Sequence, residues 1–230
     1  MLKNKIKVIN KKGLYYIVEN SGSLRQFKPW LGDVFSFLYD FIMKKSIFPK
    51  KFGGDINKHY EILKKELNGI HDKKILELAT GSGSAVNFLA NDNQHVGTDI
   101  SPGLLKKAMK NFKDAGFKNT KFYVTSADDL PFKDKYFDIV LCILSLNFFD
   151  NIKTVFKEIK RVSTNGAIFI CCVPVPERNN LKSTIRGTLY SEQELKKTCR
   201  ENNFSFKTIP VENGALLYFR AIVYQKGEPD

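Results

Sequence analysis

The sequence predicts an α/β protein built on a mostly parallel sheet with helices on both faces. Three observations carry that prediction. From Lys74 onward, apolar runs of strand length alternate with amphipathic helical stretches, as in parallel strands joined by helical crossovers. Ile75, Leu76 and Leu78 form a buried-strand run that ends abruptly at Gly81-Ser82-Gly83, where the backbone can turn tightly and approach a ligand. Asp99 closes the next apolar run, near the ~20-residue spacing at which an acid meets ribose hydroxyls in such folds.

The elements follow in order. "IKVINKKGLYYIVEN" alternates around Gly13 and reads as a β-hairpin. "LGDVFSFLYDFIM" is apolar on nearly all sides, like a buried helix, and "KKSIFPKKFGG" reads as a loop. Asp55 caps a second helix whose stripe is Ile56, Tyr60, Leu63 and Leu67. After the strand 74–78 and its glycine turn, Ser84 to Ala90 reads as a short helix, a site where free N–H groups receive anions. His95 to Asp99 is the second strand, and Ser101-Pro102 opens the next helix. "TKFYVT", "YFDIVLCIL" and "GAIFICCV" are the third to fifth strands, with Asn151 capping the helix before the fifth and Asn165-Gly166 ending it. Ser191 and Glu194 form a capping box, and two last strands close the chain as an antiparallel pair around Glu212-Asn213-Gly214.

Composition narrows the function classes. A chain of 230 residues, 43% hydrophobic, suits one α/β domain with an accessory segment. No stretch is apolar enough to span a bilayer, and the basic N-terminus lacks the apolar core of a secretory signal. Cys142, Cys171, Cys172 and Cys199 form no Cys-x-x-Cys pair, which excludes the usual zinc ribbon and argues for a reducing, cytoplasmic setting. Three scattered histidines give no metal site. The net charge of +13 reads first as a solvated lysine-rich surface and second as an anion-binding face.

The glycine turn also excludes a dinucleotide fingerprint, because Val86 stands where its third glycine belongs. Glu77, just before the turn, suits a ligand carrying an ammonium or sulfonium group. "ILELATGSGSAVNFLA", "VGTDISPGLLKKAMKNF", "SADDLPFKDKYFDIVLCILSLNFFDN" and "FKEIKRVSTNGAIFI" resemble the successive motifs of class I S-adenosylmethionine (SAM)-dependent methyltransferases. The branch they are most similar to includes ubiquinone/menaquinone-biosynthesis C-methyltransferases.

The resemblance covers residues 70–175 well. It implies a Rossmann-like seven-stranded sheet in the order 3-2-1-4-5-7-6. It also implies a division into an N-terminal hairpin and helical cap, residues 1–70, and a SAM-binding catalytic domain, residues 71–230. Glu77 would hold the methionine ammonium, and the backbone at Ala79, Thr80, Gly81 and Gly83 would pack on the amino-acid and ribose parts. Asp99 would accept from both ribose hydroxyls. Ile100 and Leu104 would sandwich the adenine, Ala127 and Asp128 would meet its edge, and Cys142 and Ile143 would line the methionine chain. The family usually has Gly and Cys at Ala79 and Thr80, and often an aspartate at Ser126.

Methyl transfer from a sulfonium needs orientation and a dry pocket, and a base only where the acceptor loses a proton. His59, Tyr39 and Asn147 are the candidates for that part. The expected acceptor is a small, largely apolar or aromatic molecule enclosed by the N-terminal helices and the segment before Ser191, with Arg178, Arg186 and Tyr190 placed to orient a polar group. The alternatives are an RNA (rRNA or tRNA) methyltransferase, although "LSLNFFDN" lacks the Asn/Asp-Pro-Pro-Tyr signature of amino-group methylation, and a non-catalytic SAM-binding protein.

Overall fold

The computed structural model describes residues 1–27, 39–211 and 214–225. Residues 31–38 of the first predicted helix, and Glu212 and Asn213 of the last predicted turn, lie outside the described residues. So does the side chain of Tyr39.

β1 (Lys7–Lys11) and β2 (Leu14–Val18) form the expected hairpin, and Lys12 and Gly13 both adopt the left-handed conformation that a two-residue turn requires. α1 (Tyr39–Ile42) runs into a wide π-helical coil, Met43–Phe52, where the sequence reads as a loop. Pro49 lies inside it and supplies no N–H, while Phe48 and Phe52 bury their rings edge to face. α2 (Ile56–Glu66) starts at Asp55, whose carboxylate accepts from the N–H groups of Asn57 and Lys58.

The alternating part comprises β3 (Lys74–Leu78), β4 (Gln94–Asp99), α3 (Pro102–Asp114), β5 (Thr120–Val124), β6 (Phe137–Ile143) and α4 (Ile152–Val162). β7 (Ser163–Pro174), α5 (Glu192–Glu201), β8 (Lys207–Ile209) and β9 (Leu216–Val223) complete it. β7 begins directly after α4, so Asn165-Gly166 sits within a strand, beside a register shift against β6, and is not a turn. Ser84 to Asn87 forms a single 3₁₀ turn in place of the expected helix, entered from a left-handed Gly83 with no side-chain cap.

The nine strands of the described residues join one sheet in the order β1-β2-β5-β4-β3-β6-β7-β9-β8. The expected sheet of seven is thus a sheet of nine, because β2 pairs parallel with β5 and brings β1 with it. Hydrophobic alternation identifies a hairpin but says nothing about a partner strand so far along the chain. β3 lies between β4 and β6, so the chain leaves it first to one side and later to the other. A crevice opens at the carboxyl ends of parallel strands at such a reversal.

The side chains of β3 alternate between two cores. Leu76 and Leu78 join Phe156 and Ile159 of α4 and Leu195 of α5 on one face. Ile75 joins Leu105, Ala108 and Phe112 of α3, Leu63 of α2 and Phe48 on the other. Truncating a ring as buried as Phe112 costs about 3–5 kcal/mol, so α3 is fixed firmly against β4 and β5. All four cysteines are buried thiols, Cys142 on β6, Cys171 and Cys172 on β7, and Cys199 on α5.

Candidate functional site

A cleft of about 420 Å³ opens where β3, β4, β5 and β6 end. Its floor is the turn after β3. Ala79 takes a left-handed conformation (φ 49°) that costs a residue with a Cβ roughly 1–2 kcal/mol. The turn is held from both sides, with Thr80 N–H donating to Thr98 O at 2.8 Å and Thr80 Oγ1 to Glu77 O at 3.2 Å. Gly97 permits this, since a Cβ there would stand 2.7 Å from Thr80 Oγ1.

Asp99 forms one wall. Its Oδ2 accepts from Gly81 N–H and its Oδ1 from Ser101 N–H, both at 2.9 Å. These backbone donors help to fix the carboxylate at the cleft. Ser101 in turn caps α3 through Leu104 N–H, so Asp99, Ile100 and Leu104 are positioned by one helix start. Ala127 and Asp128 line the next wall, where the Ser126 hydroxyl donates to the Asp128 carboxylate.

Of the residues expected at this site, Ala79, Gly81, Asp99, Ile100, Leu104, Ala127, Asp128 and Ile143 come together around the cleft. Four do not. Cys142 precedes Ile143 on β6, so its side chain points into the core, where Sγ meets Ser145 Oγ at 3.3 Å. Thr80 is buried by the turn it closes. Gly83 serves packing: a Cβ there would lie 2.8 Å from Ala108 Cα of α3. Glu77 is 3% exposed and faces inward, its Oε2 3.0 Å from His95 Nε2, beneath the cleft and not in its wall. His95 stacks on Phe112, and its Nδ1 has no hydrogen-bond partner.

The base candidates are also displaced. His59 is 2% exposed in the core between α2 and β9, with Nδ1 2.7 Å from the Tyr218 hydroxyl. Burial lowers its pKa to about 3. A lone histidine on an amphipathic helix gives no hint of a tyrosine partner so distant in sequence. Asn147 is buried beside the cleft, but its Nδ2 donates to Arg186 O at 2.7 Å, and Asn147 O accepts from Thr188 N–H. Gly187 makes this junction possible, because a Cβ would meet Asn147 O at 2.1 Å. Arg178 turns toward Glu192, and neither it, Arg186 nor Tyr190 lines the cleft.

Sequence reasoning missed the opposite wall. Leu144, another left-handed residue (φ 59°), Ser145, Phe148, Phe149 and Asp150 descend from the end of β6, and Phe27 joins them from the segment after the hairpin. Phe148 is 51% exposed, an unusual state for a large aromatic side chain. The clustering of aromatics in "LSLNFFDN" was the available signal.

Comparison with known proteins gives four findings. Residues 71–225 match the methyltransferase domain family. The chain is 35% identical over 105 residues to the ubiquinone/menaquinone biosynthesis C-methyltransferase of Rickettsia felis, covering 42% of each protein. It is 32% identical over 130 residues to an uncharacterized protein of Methanocaldococcus jannaschii, covering 56% of each. The chain thus spans about half the length, or less, of these curated relatives. In fold it resembles the Haloferax volcanii methyltransferase solved in complex with the Trm112 methyltransferase activator, with TM-score 0.67 and 17% identity over 88% of this chain and all of that one.

Proposed function

Because the chain belongs to the class I SAM-dependent methyltransferases and uses S-adenosylmethionine as its cofactor, we propose that it methylates a small, largely apolar or aromatic molecule in the cleft above β3. The carrying observation is the division of that cleft. Asp99 and the backbone of the β3 turn lie on the β3–β4 side, and Phe27, Phe148 and Phe149 gather on the other, beside Ser145 and Asp150. An apolar lining with few fixed polar groups is the common form of a small-molecule pocket.

The residues present fit the cofactor. In this reading Asp99, held by two N–H groups, receives the ribose hydroxyls. The backbone at Ala79 and Gly81 borders the amino-acid end. Ile100 and Leu104 flank the adenine, Ala127 and Asp128 meet its edge, and Ile143 borders the methionine chain. Glu77, behind the turn, acts on that end only through water or by supporting the turn. When bound, SAM supplies an electrophilic methyl on a sulfonium. The chain's own work is to orient the acceptor in line, to keep it dry behind the phenylalanines, and to exclude water. No described side chain in the cleft is a histidine or lysine base, which suits an acceptor that is already nucleophilic. The N-terminal cap, residues 1–70, which brings Phe27 to the cleft, acts in this reading as a lid, although Ser183 Oγ and Ala215 N–H bond to its coil at Lys51 and Phe52 and so restrict where it can hinge.

Labelled SAM incubated with the protein and either a metabolite extract or total RNA tests the proposal. Label in the extract is expected. Label in RNA alone, with RNA binding that weakens steeply with salt, would instead support the RNA methyltransferase reading.

A further inference from the structure

A second cavity, of about 410 Å³, lies at the opposite end of the sheet, where β3, β4 and β5 begin. β3 alone separates it from the cofactor cleft by about 16 Å, so the two cannot share one small ligand. Lys74 enters it from β3, Lys121 from β5 and Lys118 from the loop before β5. Lys133 stands close by. Its Nζ is 5.2 Å from the centre of the Tyr136 ring, and Lys74 Nζ is 4.8 Å from the same point. Tyr136 lines the cavity and holds both ammonium groups near it.

Among the described residues, none of these four lysines is in an ion pair. Asp134 pairs with Arg161, and Asp138 accepts from the Lys74 backbone N–H. Burial, and then Lys133, Lys121 and Lys74, lower the pKa of the Met1 amino group, which shows that the three side chains act on one place. Cations brought together from two strands and two loops repel one another unless an anion joins them.

We propose that this cavity binds a phosphate-ester anion, independently of the cofactor. Lysines offer point charges suited to phosphate, with no guanidinium fork to select a planar carboxylate. Gln94, Asn119 and Thr120 add neutral donors at the rim. The volume exceeds that of a single small anion and suits a polyphosphate group or a nucleotide. A free nucleotide and a polynucleotide strand both carry this group, and separate arms of the test distinguish them.

The test is calorimetric titration at low salt with inorganic triphosphate, with ATP and with a short single-stranded oligoribonucleotide. Saturable triphosphate binding is expected. Lys74→Gln/Lys121→Gln should weaken it by about tenfold or more, and Lys118→Gln by less. Lys64→Gln/Lys65→Gln, which removes the same charge from the exposed end of α2, should leave it unchanged. S-adenosylhomocysteine affinity should be unaltered in every variant, which also reports that each has folded. Tighter binding of ATP assigns the site to a nucleotide, and tighter, salt-steep binding of the oligonucleotide assigns it to a strand. Absence of saturable triphosphate binding, or an equal loss in the α2 control, overturns the proposal.

Discussion

The two glycines of the turn make a paired prediction. Gly81 and Gly83 are both left-handed, at φ 58° and 84°, so alanine at either costs about 1–2 kcal/mol, partly offset by roughly 0.4–1 kcal/mol from a less flexible unfolded chain. Their surroundings differ. A Cβ on Gly81 meets nothing nearer than Ala79 O at 4.0 Å. A Cβ on Gly83 meets Ala108 Cα at 2.8 Å and Phe112 Cδ2 at 3.2 Å, and α3 must shift to admit it. Overpacking of that kind adds about 1–3 kcal/mol. Gly83→Ala should therefore lose about 2–4 kcal/mol of stability, against about 1 kcal/mol for Gly81→Ala. Ligand affinity should rank the other way, because the Gly81 methyl enters the cleft. Gly81→Ala should weaken S-adenosylhomocysteine by on the order of tenfold, and folded Gly83→Ala should bind nearly as wild type. Urea denaturation with calorimetric titration reads both quantities. Equal stability of the two variants, or a loss of affinity confined to Gly83→Ala, would refute the division of labour.

Other outcomes follow from the same geometry. Asp99→Ala leaves two backbone N–H groups without their acceptor, so it should cost roughly 2–6 kcal/mol of stability, and on the order of 10- to 100-fold in S-adenosylhomocysteine affinity, both readable by the same two assays. Ala79→Gly relieves the left-handed strain and should stabilise the fold by about 1 kcal/mol in denaturation. His59 has a folded pKa of about 3, below its unfolded value, so its contribution is complete above pH 6.5 and is lost as pH falls toward 3. That group alone should cost about 2 kcal/mol between pH 6.5 and 5, and His59→Phe should flatten this part of the stability profile. Hydrogen exchange over residues 43–54 should slow when S-adenosylhomocysteine binds; equal protection in both states would count against the lid.

What the sequence revealed depended on how local the determinant was. Asp99 and Gly81 were legible because the strand, turn and acid recur at a fixed spacing. Ile143 and Cys142 stand side by side in an apolar strand, and only the pleat decides which one faces the cleft. Gly83 looked like Gly81 until α3 was placed against it. The inward turn of Glu77 depends on His95 in the neighbouring strand, and the burial of His59 depends on Tyr218 in the last one. Phe148 and Phe149 lie after a strand, where loop conformation decides exposure and periodicity carries no information.

The docking of β2 onto β5 also bears on how the chain is made. Leu14 and Tyr16 leave the ribosome early, but their partners Phe122 and Val124 are translated much later. The hairpin therefore waits, and Leu14 and Ile17, buried in the finished molecule, stay exposed meanwhile. Once docked, it replaces the bare edge of β5 with β1, a short strand that carries Lys7 and Lys11 at its ends and discourages edge-to-edge association. A chain lacking its first 20 residues would keep the cofactor cleft but present β5 as an open edge, so its failure would show first as aggregation during synthesis.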